Sequence, residues 1–273
     1  MPPKTEDIEI RLLLEAIFLR YHYDFRGYAM TSVKRRIRRA QERFGCESIS
    51  HLQEKVLHHP EILPDLLGVL TVQASEFFRD PAYFRAIRER VLPHLRTYPS
   101  LKVWIAGCST GEELYSLAIL FREEGLEDRT IFYATDINPD ALRQARAGVY
   151  PLNRMQLFTK NHQKSGGRTS LSEYYTAAYS HARIDPTLRA RAVFSDHSLV
   201  TDQVFAEVHF ISCRNVMIYF DRDLQDRVLG LFRDALIRRG FLGLGAKESV
   251  QFSRHAGAFE VFDREEKLYQ KAD

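Results

Sequence analysis

Apolar residues recur at helical spacing from Asp7 to about Leu95. Ile10, Leu13, Leu14, Ile17 and Phe18 form one stripe, and Leu52, Val56, Ile62, Leu66, Leu67 and Leu70 predict further short helices. Between Thr31 and Phe44, Val33, Ile37, Ala40 and Phe44 stand at i, i+4, i+7 and i+11, which predicts an amphipathic helix with one buried stripe. No alternating, strand-like run occurs before Leu101. From there the texture changes: LKVWIAG reads as a strand, Glu112 to Glu124 as a helix and TIFYATD as a second strand. A helix follows that opens at Asn138-Pro139 and closes at Gly148, with Asn as N-cap, Pro at the first helical position and Gly after the last.

The stretch from Tyr150 to Ala192 interrupts this alternation. A polar Lys164-Ser165-Gly166-Gly167 loop precedes two short runs, EYYTAAYS and LRARAVFS, placed around a turn at Asp185-Pro186, which predicts a small antiparallel insertion. The pattern then resumes with VHFISC, a helix from about Leu224 to Arg238 terminated by Gly240, the strand FLGLG, and two extended runs, FEVF and KLYQK. Strand-helix-strand-helix order predicts an α/β, doubly wound, Rossmann-like parallel sheet. The expected organisation is an N-terminal all-helical domain over 1–82 with a linker to about 95, a sheet domain over 96–273, and a β-subdomain inserted at 150–192.

Composition narrows the class. The 273 residues are 45% hydrophobic and 27% charged, which excludes disorder and a disulfide-dense miniprotein. No apolar stretch approaches the roughly 20 residues that span a bilayer, and the start, MPPKTEDIEIRLLLEAIF, puts acids rather than a basic n-region before its apolar run, so a cytoplasmic protein without membrane insertion is expected. Cys46, Cys108 and Cys213 lie far apart, with no metal-ligand spacing, so free thiols and no metal are expected. A net charge of +3 does not point to nucleic acid. The charge is concentrated, however: six basic residues, Lys34, Arg35, Arg36, Arg38, Arg39 and Arg43, face one acid, Glu42, in the helix from Thr31 to Phe44. This is either a solvated face or a docking surface for something acidic.

The candidate chemistry lies in the loop Gly107-Cys108-Ser109-Thr110-Gly111-Glu112-Glu113. Small residues between a strand and a helix N-terminus let a ligand approach the backbone and meet its amides. A dinucleotide fingerprint fits poorly, because Ser109 and Glu112 occupy glycine positions and two acids stand where pyrophosphate would sit. A hydrolase nucleophile elbow fits G-x-S-x-G at Gly107 to Gly111, but the helical upstream region lacks the strands that such an elbow follows. The third reading is an S-adenosylmethionine site. A cationic sulfonium and amino group tolerate carboxylates, and Asp136, 25 residues after Gly111 at the end of the next strand, could accept from both ribose hydroxyls.

At this level of detail the chain resembles the CheR-type chemotaxis receptor methyltransferases, which esterify glutamates on receptor helices. The resemblance runs from about Asp24 to Phe262 and is carried by DFRGYAMTSVKRRIRR, TVQASEFFRDPAYF, VWIAGCSTGEELYSLA, YATDINPDALRQARAGVY and FISCRNVMIYFD. It implies protein-glutamate O-methylation with S-adenosylmethionine as cofactor and S-adenosylhomocysteine as product. It implies that Gln73, Ser75 and Arg79 reach the cofactor's methionine end, that Glu113 holds that moiety beside Gly107, and that Asp136 takes the ribose. Ser198 and Leu199 would meet the adenine, Arg214 and Asn215 would floor the site, and Tyr219 would stand near the transferred methyl, with Arg79 and Tyr219 as the catalytic pair.

The chain departs from the family's pattern at several of these places. Gln73 and Ser198 stand where the family usually has Asn, Ser75 where it has Thr, Leu114 where it has Pro, and Ala246-Lys247-Glu248 where it has His-Ser-Glu. The short hydroxyl at Ser198 cannot reproduce a two-sided amide contact, which predicts weakened cofactor affinity. The rival reading is therefore a degenerate homologue that serves as a cofactor-binding signalling module. The expected partner is a methyl-accepting chemoreceptor or a similar acidic helical protein, docked on Arg35, Arg38 and Arg39 by a monomeric enzyme. A short, glycine-free hairpin turn, HARIDPTLRAR, predicts no tethering of a receptor tail peptide.

Overall fold

The computed structural model describes residues 3–273. Helices α1 (Thr5–Tyr21), α2 (Met30–Arg43), α3 (Ile49–His58) and α4 (Leu63–Leu70) come first. Their apolar stripes meet one another: Ile10, Leu13, Leu14, Ile17, Val33, Ile37, Leu52, Val56, Leu66 and Leu67 are buried in one cluster. Ser48 caps α3 by accepting the His51 amide. Helices α5 (Pro81–Ala86) and α6 (Leu92–Leu95) follow, joined by a π-helical turn at Ile87–Val91.

The alternating half consists of β1 (Leu101–Ala106), α7 (Glu112–Glu123), β2 (Thr130–Asp136), α8 (Pro139–Ala147), β3 (Val149–Pro151), α9 (Met155–Lys164), β4 (Tyr175–Ala178), β5 (His181–Ile184), β6 (Ala192–Asp196), β7 (Val208–Cys213), α10 (Arg222–Ala235), β8 (Leu236–Leu244), β9 (Phe259–Asp263) and β10 (Leu268–Lys271). Seven strands form one mixed sheet in the order β6-β2-β1-β7-β8-β10-β9. The first five are parallel, and β10 and β9 close the edge antiparallel. The strand order reverses between β1 and β7, the place where open α/β sheets bind ligands at their carboxyl ends. Asn138 caps α8, its Oδ1 accepting the Asp140 and Ala141 amides at 2.9 and 3.2 Å, and Gly148 ends the helix at φ +64°.

Each face of the sheet has its own core. On one face Trp104, Ile211, Leu242, Val228 and Phe232 continue the cluster of the N-terminal helices. On the other, Val103, Ile105, Phe132 and Phe210 pack with Leu114, Leu117 and Phe121 of α7 and with Phe77, Phe78, Tyr83 and Phe84. An isolated β-bridge, Tyr28 to Phe220, with rings edge-on at 5.0 Å, joins the helical half to the segment after β7. The Ala29 amide donates to Tyr219 O, and the Asp221 amide to Gly27 O.

Three expectations need correction. The run LRARAVFS does not pair in the insertion. Its second half is β6, parallel to β2 at the edge of the main sheet, and the small sheet is β3-β5-β4. Between the two sheets Asp185 accepts the Thr187 amide to cap a short 3-10 turn and pairs with Arg122 of α7, and the chain then pairs with β2 over Ala192–Asp196. The hairpin turn of the insertion is therefore Tyr179-Ser180, not Asp185-Pro186, although it too lacks glycine. Gly240 does not stop a helix either. The chain passes from α10 into β8 at Leu236, and Arg239, at φ +59°, and Gly240 lie where the β7–β8 register shifts. Among the described residues no helix is long and apolar enough to cross a membrane.

Candidate active site

A cleft of about 100 Å³, partly open to solvent, lies where the carboxyl ends of β1, β2 and β7 meet the linker Thr71–Ser75 and the inner face of α2. The loop after β1 turns sharply because Gly107 adopts φ +77°. A Cβ there would come 2.5 Å from Val216 Cγ2, so the β1 and β7 loops pack too closely for any side chain. The loop's amides point inward. Gly107 and Cys108 both donate to Thr135 O, at 2.9 and 2.8 Å, Gly111 to Cys108 O at 3.0 Å, and Ser109 to Asp136 Oδ2 at 2.8 Å. The expectation that these amides meet a ligand is thus corrected: they hold the loop together and form no phosphate cradle.

Asp136, at the end of β2, accepts the Ser109 amide on one oxygen and the Asn138 amide on the other, at 2.8 and 2.9 Å. Burial raises its pKa despite these donors. Asp136 is among the residues that line the cleft, and its carboxylate has acceptor capacity beyond these donors. Glu113, in the first turn of α7, accepts from Ser212 Oγ at 2.7 Å and from Arg214 Nη1 at 3.2 Å. Its neighbour Glu112 turns away, buried against Thr110 and Arg154, so one acid of the pair lines the cleft rather than two.

Arg214 forms the floor. Its guanidinium lies 4.1 Å from the Tyr83 ring centroid and donates to Asp80 Oδ2 at 2.7 Å and to Arg79 O at 3.0 Å. Phe78 and Asp80, both at positive φ, bracket Arg79, and the Phe78 amide donates to Ser116 Oγ at 2.8 Å. Side-chain anchors on both sides hold this strained joint. Asn215, also at positive φ, is fixed from below by Glu248, whose carboxylate accepts four amides: Gly245 at 2.6 Å, Asn215 at 3.0 Å, Val216 at 2.9 Å and Ile218 at 3.2 Å. Burial pushes the Glu248 carboxyl up even against these four donors. Sequence reasoning registered Glu248 only as what remains of a tripeptide; nothing local marks an acid as the partner of a turn 33 residues upstream.

Gln73, Ser75, Arg79, Gly107, Glu113, Asp136, Leu199, Arg214, Asn215 and Tyr219 all line the cleft. Ser198 does not line it. Its hydroxyl accepts the Val200 and Thr201 amides, each at 3.3 Å, and so caps the turn that carries Leu199. Ser109, the would-be hydrolase nucleophile, donates its hydroxyl to Gln73 Oε1 at 2.7 Å, and no histidine hydrogen-bonds to it among the described residues. Nor does any group of His, Cys, Asp and Glu there have the arrangement of a metal site.

The residue that sequence reasoning missed is Arg36. It was counted in the basic remainder of α2, but it is 6% exposed and turns into the cleft, its guanidinium 4.2 Å from the Tyr219 ring centroid. Nη1 donates to Leu70 O, while Nε and Nη2 are buried without a partner. Burial lowers its pKa. A signal was available: position 36 is i+3 from Val33 and i−4 from Ala40, and therefore on the buried side of the helix. Arg35, Arg38 and Arg39 are exposed, as expected, along a groove completed by Gly68, Val69 and Val72. Arg38, however, is held bidentately by Glu6 at 2.6 and 2.9 Å. Thr71, Val72, Gln73 and Ala74 line both concavities, so this strip is the wall between the cleft and the basic groove.

With inward-turned amides, a diol-competent carboxylate at Asp136 and a second acid at Glu113, the donor set suits a cationic nucleoside and not a phosphate. Comparison with known proteins agrees. Residues 73–267 match the model of the CheR methyltransferase, SAM binding domain, and residues 8–71 that of the CheR methyltransferase, all-alpha domain. The chain belongs to the CheR methyltransferase family. It is 55% identical over 269 residues, 98% of each chain, to a Pseudomonas putida protein titled "Putative methyltransferase Cher3". It is 32% identical to a chemotaxis protein methyltransferase of Listeria innocua, covering 83% of this chain and 84% of that one. A Pseudomonas aeruginosa chemotaxis protein methyltransferase 2 is 31% identical over 69% of this chain and 68% of its own length. The cofactor of this CheR-family chain is S-adenosylmethionine, and the dinucleotide and hydrolase readings are set aside.

Proposed function

We propose that this CheR-family protein methylates glutamate side chains on an acidic, helical signalling protein of the chemoreceptor kind, giving glutamate methyl esters. Arg36 is the observation that carries the reading. A buried guanidinium with two unpartnered nitrogens beside Tyr219 is expensive unless something anionic arrives, and a carboxylate fits two of its donors at once. The acceptor would then supply the counter-charge that the chain withholds.

Bound S-adenosylmethionine supplies an electrophilic methyl group on a sulfonium. In this proposal Asp136 holds the ribose, Glu113 and Arg79 hold the amino and carboxylate ends of the methionine moiety beside Ser75, and Leu199 packs against the adenine. Arg214 and Asn215 floor the site. Arg36 grips the acceptor carboxylate, and the Tyr219 ring beneath it fixes the direction of approach. A glutamate is already ionised near neutral pH, so no general base is needed, in keeping with a cleft histidine, His197, whose Nε2 bonds to Gln203 O. Residues 1–82 would act as the covering domain, 96–273 as the methyltransferase domain and 150–192 as its inserted subdomain. Arg35, Arg38 and Arg39 would draw the acidic partner to the cleft mouth. A single cytoplasmic copy suffices, with neither nucleic acid nor membrane insertion.

The test is incubation with methyl-labelled cofactor and membranes carrying candidate receptors. Label that alkali releases as methanol, mapped to glutamates, is the expected result. Alkali-stable label would mean transfer to nitrogen or sulfur and would overturn the ester reading. Tight S-adenosylhomocysteine binding without any transfer would favour the signalling-module alternative.

A further inference from the structure

Five residues close a hydrogen-bonded ring in the wall of the cleft, four of them among its lining residues. Gln73 Oε1 accepts from Ser109 Oγ at 2.7 Å, and the Ser109 amide donates to Asp136 Oδ2 at 2.8 Å. Asp136 Oδ1 accepts the Asn138 amide at 2.9 Å, and Asn138 Nδ2 donates to Thr71 Oγ1 at 2.9 Å. Gln73 Nε2 completes the circuit by donating to the same Thr71 oxygen at 2.9 Å. The Thr71 hydroxyl passes its own proton to Leu67 O, 2.7 Å away in the last turn of α4, so the ring is tied to the helical half of the molecule.

We propose that Gln73 is a positioning residue for the ribose-binding carboxylate, acting through Ser109 on Asp136, and that it is not itself a cofactor ligand. Each of its polar atoms makes one bond within the ring, Oε1 with Ser109 and Nε2 with Thr71, so the amide is held from both sides. The longer glutamine stem is what spans the distance from the linker to the loop; an asparagine at this position falls short by a methylene. Ser109 adopts φ +51°, a conformation that a non-glycine residue holds only when its surroundings impose it. Gln73 imposes it from the hydroxyl and Asp136 from the amide, so the serine transmits the constraint between them. Asp136 is thereby oriented by its hydrogen-bond partners before any ligand arrives.

This inference rests on the assignment of the ribose to Asp136, and two ligands separate the two claims. The whole protein is titrated calorimetrically with S-adenosylhomocysteine and with its 2′,3′-dideoxy counterpart, for wild type and for Gln73→Met, which keeps the side chain's length and removes both hydrogen bonds. Wild type should prefer the hydroxylated ligand. Gln73→Met should lose roughly threefold to tenfold in affinity for that ligand and little for the dideoxy one, since only the first uses the oriented carboxylate. Gln73→Asn, too short for the ring, should behave in the same way and serves if the Met variant does not fold. Equal losses for both ligands would show a general structural role or a direct contact with the methionine end, and no loss at all would show an idle ring; either overturns the proposal. A wild type indifferent to the ribose hydroxyls would overturn the ribose assignment, and this inference with it.

Discussion

The two walls of the cleft differ in how they treat charge. On the sheet side, Glu113, Asp136, Arg214 and Glu248 each have at least two partners from the chain itself, and the loops that carry them are locked by backbone amides. On the helical side, Arg36 is as deeply buried as Arg214, each 6% exposed, but pairs with one carbonyl and no acid. A wall whose charges are paired with opposite charge or with several donors is built before its ligand arrives, and its rigidity gives affinity and orientation. An unsaturated one stores a desolvation cost that a partner of opposite charge relieves. The contrast assigns the sheet wall to the cofactor and the helical wall to the acceptor.

Arg36→Met is the largest perturbation of that contrast. Methyl transfer should fall about a hundredfold, as expected when a charged hydrogen bond to the reacting group is lost, while S-adenosylhomocysteine affinity stays unchanged by calorimetry. The melting temperature should hold or rise, because an unpaired buried charge has been removed. A fall in melting temperature with unaltered turnover would make Arg36 a structural residue and erase the difference between the walls. On the opposite wall, Asp136→Ala should weaken S-adenosylhomocysteine binding by about 1.5–3 kcal/mol. Calorimetric affinity equal to wild type would remove the sheet wall's claim on the ribose.

Much of the sheet wall was legible in advance. A strand ending in Gly107, a helix opening on Glu112 and Glu113, and a second strand ending in Asp136 are local patterns, and the parallel order puts their ends together. What escaped was tertiary. The run around Ala192–Asp196 has the composition of a hairpin partner, but it pairs with β2 at the main sheet's edge, after a turn at Asp185 that is held by Thr187 and Arg122. Glu248 serves a turn remote in sequence, and Ser198 caps its own turn where an adenine contact was expected. Arg36 was hidden for a different reason: among six bases in one helix, composition points outward for all of them, and only helical phase singles out the one that turns in.

The smallest expected effect divides the exposed arginines. Arg35→Glu and Arg39→Glu should each raise KM for the acceptor a few-fold, with a shallower salt dependence and unchanged cofactor affinity. Arg38→Glu should change acceptor KM less, since that guanidinium is already engaged by Glu6, and its loss should show instead as a slightly lower midpoint in denaturant titration. Three equal effects on KM would mean that the groove reads total charge alone.

The strip Thr71–Ala74 has two readers. One surface borders the nucleoside's cleft and the other borders the groove for the protein partner, with four residues of chain between them. A substitution that widens the groove to admit a new partner narrows or unseats the cleft behind it, so partner choice and cofactor retention are selected through the same codons. Divergence of target within such a lineage is therefore easier along the outer face of α2, at Arg35, Arg38 and Arg39, which line the groove but not the cleft, than along the strip. The strip itself should drift slowly even while the surface around it changes.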